Sequence, residues 1–149
     1  MNELLDYEVE EIEKNKIECF YPGKKEHKYL SAKKYTTSDS TYDLKHHNHI
    51  NFKYEILDNI GRGQYGVVAK VKDHSNNNIY ALKITKAIKR YKFSFDNELQ
   101  NLLFLRNKLT ENDEKYNMLI PDIIDYFSFR GHHIIVYNLY EANIYEAII

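Results

Sequence analysis

Two hydrophobic periods run along this chain, and the change from one to the other divides it. Leu5, Val9 and Ile12 stand at i, i+4 and i+7 among carboxylates, the stripe of a short amphipathic helix. Pro22-Gly23 marks a turn. Residues 24–49 are polar, rich in Lys, Ser, Thr and His, and offer few apolar anchors, so they read as a linker or an arm lying on another surface. Beyond Asn51 the period falls to two. Residues 54–60 predict a strand, 61–66 a Gly-rich turn, and Val67-Val68-Ala69-Lys70-Val71 a returning strand, together an antiparallel hairpin. Asp73-His74-Ser75-Asn76-Asn77-Asn78 is turn chemistry, and Ile79-Tyr80-Ala81-Leu82-Lys83-Ile84 supplies a third strand. Helical spacing returns with Phe95, Leu99, Leu102 and Leu103 and predicts a helix over 94–108. Residues 123–129 and 133–138 form two more strands about the Arg130-Gly131-His132 turn, and 143–149 reads as the start of another helix. No internal repeat is visible.

Composition narrows this picture a little. At 149 residues and 43% hydrophobic, the chain can build one modest core with an appended segment but is short for two independent domains. Its net charge is -1 and its Lys and Arg are scattered, so no basic face points to nucleic acid and no acidic tail to a basic partner. A single cysteine, Cys19, excludes an internal disulfide and fits a reducing compartment, and with no catalytic base near it in sequence it reads as inert. No apolar run reaches the length of a membrane span, and the first residues are acidic where a signal or transit peptide would be basic. The expected location is cytoplasmic or nuclear.

The chemistry gathers in the second half. Gly61-Arg62-Gly63-Gln64-Tyr65-Gly66 fits Gly-x-Gly-x-x-Gly, whose use is a backbone that comes close to phosphates with its N–H groups turned toward them. In a dinucleotide-binding turn those glycines open a helix; here β-branched residues continue as a strand. The plain alternative is a glycine hairpin with no ligand. On the third strand Tyr80-Ala81-Leu82-Lys83 resembles Val-Ala-Ile-Lys. Glu98 lies between Phe95 and Leu102 at i-3 and i+4, so the helix face that buries those side chains carries a carboxylate inward. An unpaired ion there would cost several kcal/mol, and a charge-assisted bond to Lys83 removes the cost. The plain alternatives are a solvated strand lysine and a surface glutamate. His46, His47, His49, His132 and His133 fall at a linker and a strand turn with no Cys, Asp or Glu spaced to close a metal site, and read as solvated surface histidines.

With these residues in hand, the stretch from Phe52 to Ile149 resembles the small lobe of a eukaryotic protein kinase, and in particular the dual-specificity tyrosine-regulated kinases, class II. Phe52-Lys53-Tyr54-Glu55-Ile56-Leu57 after His47-Asn48-His49-Ile50 resembles the lead into that family's glycine loop, and Tyr42-Asp43 its acidic Tyr-Asp box in eroded form. Phe127-Ser128-Phe129-Arg130-Gly131-His132 is similar to its fourth strand and turn, and Asn143-Ile144-Tyr145-Glu146 to its Asn-Leu-Tyr-Glu after the hinge. Leu4-Leu5-Asp6-Tyr7-Glu8, Glu11-Ile12 and Phe20-Tyr21 resemble, more loosely, the accessory region preceding class II kinase domains that assists their self-activation.

The resemblance implies an α+β, kinase-like small lobe: a five-stranded antiparallel sheet with one main helix, preceded by a short helix and an extended arm, with the large lobe absent. It implies an accessory segment over 1–50, the ATP-binding lobe over 51–138, and the hinge with the start of the large lobe over 139–149. Gly61, Gly63 and Gly66 become the phosphate loop with Tyr65 at its tip, Ile60, Val68 and Ala81 the apolar walls around adenine, and Lys83 and Glu98 the ion pair. Tyr137 takes the gatekeeper position, where these kinases usually carry Phe, and its phenol needs a partner. Asn138, Leu139 and Tyr140 form the hinge, Asn138 replacing a usual acidic residue, and Asn143 matches a polar residue near the ribose.

Phosphoryl transfer also needs an Asp to orient the substrate hydroxyl and an Asn and an Asp to hold magnesium. Neither His-Arg-Asp nor Asp-Phe-Gly occurs here. The expectation is therefore the ATP-binding part of a kinase that phosphorylates protein Ser, Thr and Tyr hydroxyls with ATP and magnesium, the magnesium ligands lying outside these residues. A truncated product, a fragment or a split gene model would account for this. The rival expectation is a catalytically inactive kinase-like module that binds a partner through the apolar underside of the lobe.

Overall fold

The computed structural model describes residues 3–108 and 122–139 of the chain, the side chain of Arg106 excepted. Its elements are α1 (Asp6–Asn15), two 3-10 turns (Lys25–His27 and Ala32–Tyr35), β1 (His49–Ile50), β2 (Tyr54–Gly63), β3 (Gly66–Asp73), β4 (Ile79–Thr85), α2 (Lys89–Lys108), β5 (Ile123–Phe129) and β6 (His132–Asn138). All strand pairs are antiparallel, in the order β1-β2-β3-β4-β6-β5.

Six strands form where five are expected, and the extra one is made by the arm. Within the three-residue connection 51–53, Asn51 and Phe52 both adopt positive φ (54° and 56°), a turn closed by the Lys53 N–H donating to the Ile50 carbonyl at 3.2 Å. A bulky aromatic rarely tolerates that conformation. Here the Phe52 N–H donates to His49 Nδ1 at 3.0 Å, and its carbonyl accepts from the N–H groups of Phe20 and Tyr21, each at 2.9 Å. The turn folds His49 and Ile50 back against Glu55 and Tyr54.

Because strand side chains alternate, the two sheet faces receive different partners. Val67, Ala69 and Val71 of β3, with Tyr80, Leu82 and Ile84 of β4 and Ile134 and Val136 of β6, point to one face. The arm covers that face: Tyr35, Tyr42, Ile50 and Phe52 join the same core, and Leu4, Tyr7, Ile12 and Ile17 pack on it. Val68 and Ala81 face the other way, as do Ile135 and Tyr137, against which α2 places Phe95, Leu99 and Leu102.

Three expectations are corrected. The inward line of α1 is Glu8 and Ile12, continued by Leu4 just before the helix, while Val9 is 39% exposed. Residues 24–49 hold two large anchors, Tyr35 and Tyr42, stacked at 5.6 Å; their phenols are satisfied, Tyr42 by Arg130 and Tyr35 by Asn48, so they can be buried. The helix α2 starts at Lys89 instead of residue 94, because no Gly or Pro interrupts good helix formers such as Lys and Arg in that turn.

Candidate functional site

The hairpin β2–β3 closes through the two-residue turn Gln64-Tyr65, with Gly63 paired to Gly66. Two register shifts, between Ile56 and Asp58 and between Asn59 and Gly61, bend β2 on the way to the tip. Gly66 is required on steric grounds alone: with φ 146°, a Cβ there would sit 2.0 Å from the Ile84 carbonyl oxygen. The tip also ties back to β4, the Lys86 N–H donating to the Tyr65 carbonyl at 2.8 Å.

A cavity of about 580 Å³ opens at this hairpin, lined by Ile60, Gly61, Gly63, Gln64, Tyr65 and Tyr91 among others. It lies within the size range of small-molecule pockets. Tyr91, from the first turn of α2, has no counterpart in the sequence reading. Beside the cavity Val68 and Ala81 form a buried apolar floor, with Ile60, Tyr65 and Leu139 packed on it. Tyr65 stands at the hairpin tip as expected, but its ring is turned inward, 5.0 Å from Lys83 Nζ. Asn138 ends β6 opposite Tyr80. Tyr140, Asn143 and the helix expected over 143–149 lie outside the described residues.

Lys83 is only 7% exposed. Its β4 position pairs with Ile135 of β6 and shares a face with Ala81, so its ammonium emerges between the floor and α2. It donates to both Glu98 oxygens, at 3.2 Å to Oε1 and 3.0 Å to Oε2. Tyr137, paired with Ala81 across β4 and β6, supplies its hydroxyl to Glu98 Oε1 at 3.4 Å. Burial, and then the negative charge of Glu98, push the Tyr137 phenol well above its ordinary range, so it stays a proton donor. A lysine held ready by a carboxylate next to a glycine hairpin can bind a phosphate chain without itself being buried unpaired. Among the described residues no group of three or more His, Cys, Asp or Glu side chains is placed to hold a metal ion.

A second polar cluster lies on the arm side. Glu8 is 0% exposed. Its carboxylate receives Lys28 Nζ at 2.5 Å, His49 Nε2 at 2.7 Å and the Leu5 N–H at 3.0 Å, with Arg130 at 3.5 Å. Arg130 also forks onto Glu11 at 3.0 and 2.9 Å. Burial alone would raise the Glu8 carboxyl, but the bonds from His49, Lys28 and Leu5 bring it down to about 2. Burial pushes the His49 imidazolium down to about 4, against its bond to Glu8. His49 is therefore neutral, with its proton on Nε2 toward Glu8 and Nδ1 accepting from Phe52. This corrects the surface reading of the histidines: His49 and His132 are both fully buried, His132 between Thr36 Oγ1 (2.8 Å) and the Thr85 carbonyl (2.9 Å). Only a packed arm supplies such partners, and they lie up to 96 positions away.

The glycine hairpin, the strand lysine and the helix carboxylate behind it, on a curled antiparallel sheet, define the small amino-terminal lobe of a eukaryotic protein kinase. The human dual specificity tyrosine-phosphorylation-regulated kinase 4 is 37% identical over 157 aligned positions, which take in 97% of this chain and 28% of that protein. The chain belongs to the dual-specificity tyrosine-phosphorylation-regulated kinase family. The Drosophila melanogaster kinase 2 of that name is 34% identical over 99% of this chain and 21% of its own length, and Caenorhabditis elegans mbk-2 is 36% identical over 76% and 14%. The chain thus spans less than a third of the length of these relatives. No protein-family profile matches it.

Proposed function

We propose that this chain is the nucleotide-binding part of a dual-specificity protein kinase, which transfers the γ-phosphate of ATP to Ser, Thr and Tyr hydroxyls of proteins. The observation that carries it is the Lys83–Glu98 pair beside the glycine hairpin, 3.0 Å across on a strand-and-helix frame. In this reading adenine lies on Val68 and Ala81 with Ile60 and Leu139 at its edges, and the backbone of Asn138 to Tyr140 offers it hydrogen bonds. The N–H groups of residues 61–66 take the phosphates, and Lys83 binds the α- and β-phosphates while Glu98 keeps its ammonium in place. Magnesium, where bound, would neutralise phosphate charge; neither the His-Arg-Asp nor the Asp-Phe-Gly triplet that would orient the acceptor hydroxyl and hold the metal occurs in this sequence. The lone Cys19, its thiol pushed up by burial, suits the reducing conditions of cytoplasm or nucleus.

Binding of a fluorescent ATP analogue to the 149-residue chain tests this reading. Wild type binds and Lys83→Met weakens binding by about tenfold or more, the worth of a charge-assisted contact. Saturable binding that ignores Lys83→Met would overturn it.

A catalytically inactive interaction module is the second reading, favoured by the exposed Phe93, Phe104 and Leu105 on α2. It predicts no nucleotide binding, together with a partner whose capture is lost in Phe93→Ser plus Phe104→Ser.

A further inference from the structure

We propose that Tyr137 is a positioning residue, which fastens α2 to the sheet by holding the Glu98 carboxylate alongside the strand lysine. The inference rests on the nucleotide-site reading above and goes past the role of a wall residue. Three observations carry it. Glu98 Oε1 is shared, receiving Lys83 at 3.2 Å and the Tyr137 hydroxyl at 3.4 Å. The phenol contact is long for an O–H donor, and burial gives it its weight: Tyr137 is 2% exposed, and a hydrogen bond held away from water is electrostatically stronger. The attachment of α2 is also thin. Phe95 is its only fully buried side chain among the described residues; Leu99 and Leu102 are partly buried, and Phe93, Phe104 and Leu105 face outward.

The chemistry of the two donors differs in a way that suits this division. An arriving phosphate draws the Lys83 ammonium and loosens its hold on Glu98. A neutral phenol, kept protonated by burial and by the neighbouring carboxylate, competes far less for that anion and stays on Glu98. The helix therefore remains docked while the lysine turns to the nucleotide. The same bond fixes the Tyr137 ring and closes the space behind the adenine floor.

Hydrogen exchange of the α2 amides in the nucleotide-free 149-residue chain tests the fastening, in a cycle of Tyr137→Phe, Glu98→Leu and the double variant. Tyr137→Phe is expected to speed α2 exchange by about tenfold, the weight of one hydrogen bond to a charged acceptor, while β3 and β4 keep their protection. In the Glu98→Leu background it is expected to add nothing. Exchange within twofold of wild type, or an equal acceleration in both backgrounds, would reduce Tyr137 to packing and overturn the proposal. ATP-analogue binding by wild type judges the nucleotide reading separately: a chain that couples Tyr137 to Glu98 yet binds no analogue keeps the fastening and loses the kinase reading.

Discussion

The two faces of one sheet are built on opposite terms. On the arm side Glu8, Lys28, His49 and Arg130 are interlocked in the interior and stacked aromatics fill the space around them. On the other side the ion pair is partly open, Glu98 keeping 26% of its side chain exposed, and α2 rests on a short apolar strip. Fully desolvated pairs are costly to break, whereas half-solvated pairs are easily remade with a new partner. Stability is thus concentrated on one face and adjustability on the other, and a nucleotide lobe has use for both.

The largest expected effect tests the first half of that contrast. Glu8→Ala leaves His49, Lys28 and Arg130 without their shared acceptor and is expected to cost about 3–5 kcal/mol in urea unfolding, against a small loss for Glu98→Ala. Equal losses would erase the distinction between the faces.

Acid sharpens it next. His49 has its pKa lowered from 6.5 to about 4 by folding, so between those values the unfolded chain binds a proton that the folded chain refuses. Stability must therefore fall as pH drops through this window, by on the order of 3 kcal/mol. Glu8, lowered from 4.5 to about 2, adds a second decline below the first, since its stabilisation is present above 4.5 and lost toward 2. Urea midpoints measured across this range are expected to lose the upper step in His49→Gln; a step that persists there would assign it to other groups.

The smallest effect lies where the faces communicate. Asp39 of the arm reaches Lys86 at 3.8 Å and Arg62 of the glycine hairpin at 4.0 Å, with Asp39 and Arg62 well solvated. Asp39→Asn is expected to leave stability unchanged and to speed exchange in residues 61–66 by about twofold or less. Rates that do not move would uncouple arm from loop.

What could be read from sequence follows the same division. The glycine hairpin, Lys83 and Glu98 are legible because their signals are local: strand alternation on both sides of three glycines, and a carboxylate at i+3 and i-4 from buried apolar residues. The arm is not, because burial of Glu8 and His49 depends on partners 41 positions apart in sequence and on Arg130 beyond them. One signal was present, since Glu8 lies on the Leu4–Ile12 line of α1. The β1 strand escaped notice because two residues carry no period. Tyr137 announced its need for a partner, but only the docking of α2 identifies Glu98 as that partner.

Arg130 joins Glu11 across 119 positions of chain. During synthesis the arm emerges first and must wait, its carboxylates still in water, until the last hairpin of the sheet has left the ribosome. The arm is thus among the last segments to find its place, and an ending before residue 130 would leave it without the guanidinium it closes upon.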